Sequence, residues 1–324
     1  MFKWKKKGLI WAPALTKTWA QEYGQNPNAV VLSDRIRIYF SSRKKIKSDG
    51  KYISFIHFVD VDRQNPSKVI AVHEVPLLNP VGKGQAGQFD EFGTMPGSII
   101  WREDKQETWL YYVGWSRSDT QPYKWANGLA ISKDGGVTFE KVGENPIISP
   151  TYDYPYLQAC PRVFRVDDNK WAMWYASGLE WYEDNGVKNP IYVLMDASSK
   201  DGIHWELGKK QTIPSVRNKE CQSSASVIFY NNLYHMFFSY RDVLPDREEE
   251  RQYRVGYASS KDLKSCQRDD SQAGIDISPS GWDSQAICYP HVVEVDDKIY
   301  MFYSGNQYGC SGFGYAELEK NTAD

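Results

Sequence analysis

The chain's 324 residues carry 41 acidic and 39 basic side chains, a formal charge of -2, and so present no basic footprint for a nucleic acid. No apolar run approaches the roughly 20 residues of a membrane-spanning helix, and the basic N-terminus lacks the apolar core and small-residue cleavage pattern of a secretory signal. The five cysteines, Cys160, Cys221, Cys266, Cys288 and Cys310, are odd in number and lack the paired spacing of zinc sites, so a reduced, cytoplasmic protein with no metal and no cofactor is expected.

Taken in chain order, residues 1–24 read as irregular or as a loose outer strand, with Trp4, Trp11 and Trp19 packing on the outside or on a closing blade. Five aromatic-rich segments follow: RIYFSSR (37–43), WLYYVGW (109–115), AMWYASG (172–178), HMFFSYR (235–241) and YMFYSGN (300–306). Their aligned aromatics, Phe40, Tyr112, Tyr175, Phe238 and Tyr303, recur every 63 to 72 residues, a period that fits a multi-stranded propeller blade better than a helical solenoid. The plan is most complete at 281–319, which reads as a polar approach, a strand (289–295), an Asp-Asp turn, a second strand (298–304), a glycine-rich link and a third strand (313–319).

The spacing predicts blades at 25–80, 88–150, 151–213, 216–278 and 281–319, with VPLLNP (75–80) as the outer edge of the first, where its prolines are tolerable. A repeat running through nearly the whole chain leaves no room for a second core. The fold class is therefore all-β, a five-bladed β-propeller in a single domain. SKDGGVTFE (132–140) and SKDGIHWE (199–206) resemble the Asp-box of sialidases; in each, Asp134 or Asp201 should accept backbone N–H bonds in a tight turn whose glycines take positive φ.

In a propeller the linkers into the inner strands converge on one mouth of the hub. They offer Asn28, Asp90 and Glu91, Gln158 and Arg162, Glu220, and Asp283, Tyr289 and His291; the loops after the second strands add Arg43, Trp115, Trp181, Arg241, Asn306 and Tyr308. Glycoside chemistry needs two carboxyl groups astride the scissile bond, and Asp90, Glu91, Glu220 and Asp283 are placed to supply them. Each could instead cap a turn or pair with Arg162, Arg217 or Arg241. Arg241 could grip a carboxylate, a phosphate or sugar hydroxyls, and Trp115 and Trp181 could stack on a pyranose ring or simply pack.

The hairpins with GTMPGSII (93–100), MWYASG (173–178), SYRD (239–242) and the last 40 residues resemble the five-bladed propeller superfamily of arabinanases, invertases, levansucrases and mannoside phosphorylases. More closely, they resemble glycosyl-hydrolase-like proteins associated with bacterial surface-polysaccharide synthesis. The resemblance implies a glycosidase or glycoside phosphorylase acting on a sugar, sugar phosphate or glycan intermediate in the hub. Hydrolases of that superfamily carry Asp, Asp and Glu on their first three blades. Here the first position reads Asn26-Pro27-Asn28 and the third Gln158-Ala159-Cys160-Pro161, amides that cannot exchange protons as carboxyl groups do. Three readings follow: a relocated acid set pairing Asp90 or Glu91 with Asp283 or Glu220, which includes phosphorolysis with phosphate on Arg241 or Arg162; a sugar or sugar-nucleotide binding module without catalysis; and group transfer onto a glycan. Under the first reading, Asp283→Asn abolishes turnover and leaves the fold intact.

Overall fold

A computed structural model describes residues 1–15, 22–47, 50–78, 87–119, 121–244 and 251–319. The described chain is nearly all β. An N-terminal strand, β1 (Trp4–Trp11), precedes β2 (Glu22–Val31), β3 (Arg35–Lys45), β4 (Tyr52–Asp62) and β5 (Val69–His73). Next come β6 (Gly93–Arg102), β7 (Glu107–Ser116), β8 (Lys124–Ser132) and β9 (Glu140–Lys141), followed by β10 (Gln158–Asp167), β11 (Lys170–Asp184), β12 (Val187–Ser199) and β13 (Glu206–Gln211). The last strands are β14 (Glu220–Tyr230), β15 (Leu233–Asp242), β16 (Arg254–Ser260) and β17 (Gln267–Arg268), then β18 (Cys288–Val295), β19 (Lys298–Ser304) and β20 (Phe313–Leu318).

These strands pair as antiparallel meanders. β10–β13 and β14–β17 form one four-stranded sheet each, and β18, β19 and β20 form a third in which β1 supplies the outermost strand. β2–β9 make an eight-stranded sheet in which the single parallel pairing Ser54–Gly93 joins two meanders, β2–β5 and β6–β9. The chain is thus organised in five successive units, the fifth completed by the N-terminus. Trp4 and Trp11 are buried there, as expected of a strand packed on the closing unit, while Trp19 lies outside the described residues.

The second strand of each unit is buried on both faces, which explains its unbroken aromatic run. Ile38 and Phe40 face the fifth unit while Tyr39 faces the second. Trp109 and Tyr111 face the third unit, Leu110 and Tyr112 the first. Met173 and Tyr175 pack on the second unit and Trp174 on the fourth, and the alternation continues with Phe237 against Met236 and Phe238 and with Met301 and Tyr303 against Tyr300 and Phe302. Five apolar clusters therefore sit between consecutive units, and the cluster holding Trp11, Phe40, Phe302 and Phe313 joins the last unit to the first.

All five inner strands carry a register break at one repeated triplet: Asn26-Pro27-Asn28, Pro96-Gly97-Ser98, Cys160-Pro161-Arg162, Ser224-Ala225-Ser226 and Tyr289-Pro290-His291. Asn26, Cys160, Ser224 and Tyr289 adopt positive φ there, a conformation that bulges re-aiming side chains commonly use. Gly97 is required by proximity, since a Cβ would lie 2.5 Å from Pro161 of the next inner strand.

The outer edge of the first unit differs from the sequence expectation. β5 ends before VPLLNP, and Leu77 and Leu78 turn inward to fill the cluster between the first two units. Pro80 lies outside the described residues. The Asp-box turns form as expected: Asp134 accepts from the Val137 and Thr138 amides at 3.0 Å each, and Asp201 from those of Ile203 and His204 at 2.8 Å each. A third such turn, at Ser260 and Asp262, has no glycine; Leu263 takes φ 64° instead.

Burial alone pushes the Asp134 and Asp201 carboxyls up, but hydrogen bonds from Ser132 and Thr138, and from His204, outweigh it and hold both well below the usual carboxylate range. A depressed folded-state pKa contributes stability that is present above the unfolded value, about 3.9, and lost as pH falls through the folded one. The urea midpoint should therefore fall steeply on acidification below about pH 4, and less steeply in the Asp134→Asn/Asp201→Asn double variant.

Candidate functional site

Strand register fixes which loops lie at the same end of their units. Glu22 pairs with Arg43, Gly93 with Trp115, and Cys221 with Arg241. The end of each second strand therefore stands beside the start of its inner strand, and Arg43, Trp115 and Arg241 lie at the same end as the linkers.

The triplets of the first and fifth units converge on Arg162 of the third, which is 3% exposed. Its Nη2 donates to Asn26 Oδ1 at 2.6 Å, and its Nη1 donates to Asn28 Oδ1 and to His291 Nδ1, the latter at 3.3 Å. Asn26 in turn donates its side-chain amide to the Pro96 carbonyl. His291 Nε2–H donates to the Ala29 carbonyl at 3.1 Å, so its tautomer is set: Nδ1 accepts and Nε2 carries the proton. Burial, together with the Arg162 charge, pushes the imidazole down to about 3. His291 is neutral across the physiological range and serves as an acceptor. Among the described residues no carboxylate pairs with Arg162, its Nε has no partner, and burial pulls the guanidinium down to about 10. It stays charged at neutral pH, and all its protein acceptors are neutral.

A second guanidinium shares this condition. Arg241 is 8% exposed, lies 5.6 Å over the Tyr253 ring, and has no carboxylate partner among the described residues; its Nε is buried without an acceptor. Tyrosines surround it. The hydroxyls of Tyr192 and Tyr253 hydrogen-bond each other, and the Tyr253 ring contacts those of Tyr289 and Tyr308 at 5.8 and 5.7 Å. Tyr123 feels the charges of both Arg241 and Arg43; its ring stacks on Trp125 at 4.7 Å and meets the edge of Trp181 at 5.1 Å. Tyr289 is within electrostatic reach of Cys160, which lies beside Arg162. Burial first, then neighbouring phenols, pushes the Tyr192 and Tyr289 hydroxyls well up, so at neutral pH the wall consists of uncharged donors and ring faces around a fixed positive charge.

The carboxylates lie elsewhere. Asp90 is fully buried in contact with Lys141 of β9 at 2.5 Å and with the Tyr112 hydroxyl at 3.2 Å. Asp283 repeats the arrangement, meeting Lys6 of β1 at 2.6 Å and the Tyr303 hydroxyl at 3.0 Å. Glu220 accepts from Arg268 of β17 at 2.6 Å and from Gln222 at 2.7 Å. Each of these three acids clasps the outermost strand of its own unit. Glu91 is half-buried and accepts from the Gly87 amide at 3.1 Å.

Of the other residues expected at the site, Asn306 holds the 281–286 linker through the Gln285 and Ala286 amides and the Gly281 carbonyl. Trp115 donates to Ser54 at 2.8 Å, Gln158 donates to the Tyr154 carbonyl, and Arg43 rests on the Tyr23 ring at 4.6 Å. Asn28, Arg162 and His291 are brought together, and Arg241, Tyr289 and Tyr308 lie around Tyr253.

The sequence is 34% identical over 321 residues to the uncharacterized protein Rv1502 of Mycobacterium tuberculosis H37Rv, covering 98% of this chain and 99% of that one. The match to MT1551 of strain CDC 1551 / Oshkosh is of the same extent. The chain belongs to the Rv1502 family. No protein-family model matches it.

This member of the Rv1502 family also resembles solved structures. They include a glycoside hydrolase (TM-score 0.73, 19% identity, 99% of this chain and 93% of that one) and a glycosyl hydrolase from Bacteroides ovatus (0.69, 15%, 98% and 93%). A third comes from the GH130 family of mannoside phosphorylases, which contains glycoside hydrolases that target β-1,2 mannosidic linkages in Candida mannan (0.69, 14%, 98% and 94%). The fold of this chain is that of these glycoside hydrolases. Asn26, Tyr123, Tyr192 and Tyr253 were not among the residues expected at the site. The repeated inner-strand triplet could have revealed Asn26, and Tyr192 and Tyr253 share one third-strand position, three residues before the partners of Tyr175 and Phe238, so the same repeat could have paired them; Tyr123 lies in a loop.

Proposed function

We propose that the five units are the blades of one closed single-domain propeller, and that its hub binds an anionic sugar ligand for glycoside processing. The observation that carries this reading is Arg241, a buried guanidinium without a carboxylate among the described residues, set in a wall of tyrosines. A buried charge is costly unless paired, so the fitting occupant is an anion, and phosphate oxygens suit the guanidinium fork. Tyr289 and Tyr308 offer ring faces for the sugar.

Phosphorolysis fits this hub better than hydrolysis. A phosphate oxygen attacks the anomeric carbon in place of a base-activated water, the glycosidic C–O bond breaks, and a protonated carboxyl gives its proton to the departing alcohol and regains one from the phosphate, so the amide at Asn26 does not block the reaction and the acid absent at Gln158 comes from another residue. In this reading Asp90, Glu220 and Asp283 serve the clasps, and Glu91 is left as the candidate acid of the four. The likeness to a mannoside phosphorylase family supports the reaction class, and a role in bacterial polysaccharide metabolism in the cytoplasm goes with it. The second reading, a sugar or sugar-nucleotide binding propeller, draws support from the same amides.

A panel of nitrophenyl glycosides assayed with and without inorganic phosphate tests the choice. Release that requires phosphate is expected. Phosphate-independent release would point to hydrolysis, and thermal stabilisation by sugar phosphates with no turnover would favour the binding module.

A further inference from the structure

We propose that the outer strand β5 is a self-association surface along which two copies of this chain pair antiparallel. Natural sheets blunt their free edges, and the other four outer strands follow that rule. β9 and β17 are two residues long, β13 reads Glu-Leu-Gly-Lys-Lys-Gln, and β1 carries Lys5, Lys6 and Lys7. β5 reads Val-Ile-Ala-Val-His, pairs only with β4 among the described residues, and leaves Val69, Ile70 and Val72 exposed by 36%, 49% and 39%. Val75, just beyond it, is 65% exposed. The strand carries no formal charge, and the register break that leaves Ile70 without a partner residue on β4 is its only edge-blunting feature besides its length.

The residues flanking the strand identify the occupant. Antiparallel pairing of two β5 strands about Ala71 sets Ile70 of each copy against Val72 of the other and Val69 against His73. It also sets Lys68 against Glu74, twice by symmetry. Lys68 and Glu74 are both exposed, and Lys68 has only a 3.8 Å contact with Asp62 to give up. Apolar and opposite-charge pairs across an antiparallel ladder are stabilising, and like charges facing each other are not. A two-residue slip in either direction would place Lys68 against Val72 or Glu74 against Ile70, so charge and apolar side chains select the same register. A single pair of five-residue strands covers less surface than the roughly 1,600 Å² of a standard interface, so a weak, concentration-dependent dimer is expected.

Sedimentation velocity of the full chain, from about 1 to 200 µM, reads this directly. A monomer–dimer equilibrium is expected. Lys68→Glu, which faces Glu74 with a like charge at both ends, should weaken the dimer about tenfold, and Lys68→Glu/Glu74→Lys should restore it, since the swap recreates both pairs. Val72→Lys should leave a monomer whose melting temperature matches that of the parent. A monomer at every concentration would overturn the proposal, as would a dimer indifferent to Val72→Lys, or a Lys68→Glu defect that the second substitution fails to rescue.

Discussion

Arg241→Met is expected to abolish binding of phosphate-bearing sugars while leaving the unliganded protein at least as stable as the parent. The guanidinium is buried beside Tyr253 with no carboxylate partner among the described residues, and replacing it with an apolar side chain of similar length removes a desolvated charge from the hub. Two charge-assisted hydrogen bonds to an anion, each contributing about 1.5–3 kcal/mol, correspond to a loss of at least about 100-fold in affinity. Arg241→Lys keeps the charge but not the bidentate fork, so its affinity should fall between those of the parent and the methionine variant. Calorimetric titration with a sugar phosphate, alongside a melting curve, gives both readouts. Loss of affinity with unchanged or raised melting temperature is the stability–function trade expected of a binding residue; a large drop in melting temperature would make Arg241 a structural group instead.

Asp283→Asn is expected to unfold the protein more readily, by about 2–4 kcal/mol, because it strands Lys6 against a neutral amide. The Asp283 side chain is 4% exposed and that of Lys6 is 23% exposed, so water recovers part of the loss and the lower end of that range applies. The consequence is topological: Lys6 lies on β1, the N-terminal strand that completes the last unit, and the pair helps tie the two ends of the chain together. Urea unfolding of Asp283→Asn, Lys6→Met and the double variant forms a cycle in which the double variant should lose less than the sum of the two. An Asp283→Asn protein with parental stability and no turnover would return Asp283 to the chemistry, as the sequence reading has it. Asp90 and Lys141 form the equivalent pair in the second unit, and their cycle should give the same sign.

The five-unit architecture was legible in the sequence because Phe40, Tyr112, Tyr175, Phe238 and Tyr303 all lie on strands packed on both faces, where the aromatic run is continuous and its period conspicuous. That Asn28, Arg162 and His291 meet follows for a related reason: they close inner-strand triplets of three units that contact one another. The clasps were not legible. Nothing local to Asp283 points to Lys6, 277 residues away, and a carboxylate leading into an inner strand reads alike whether it turns to the axis or to the outermost strand. The third Asp-box turn escaped because Leu263 occupies the left-handed conformation that a glycine would have signalled. The Asp283→Asn expectation drawn from sequence alone and the one drawn from the Lys6 contact differ in two observables, turnover and stability.

A crystal structure of the protein soaked with a sugar phosphate shows where the ligand sits. The phosphate is expected against the Arg241 guanidinium and the sugar ring among Tyr253, Tyr289 and Tyr308. A sugar held instead between Asp90 and Asp283, or bound away from the tyrosine wall altogether, would contradict that placement.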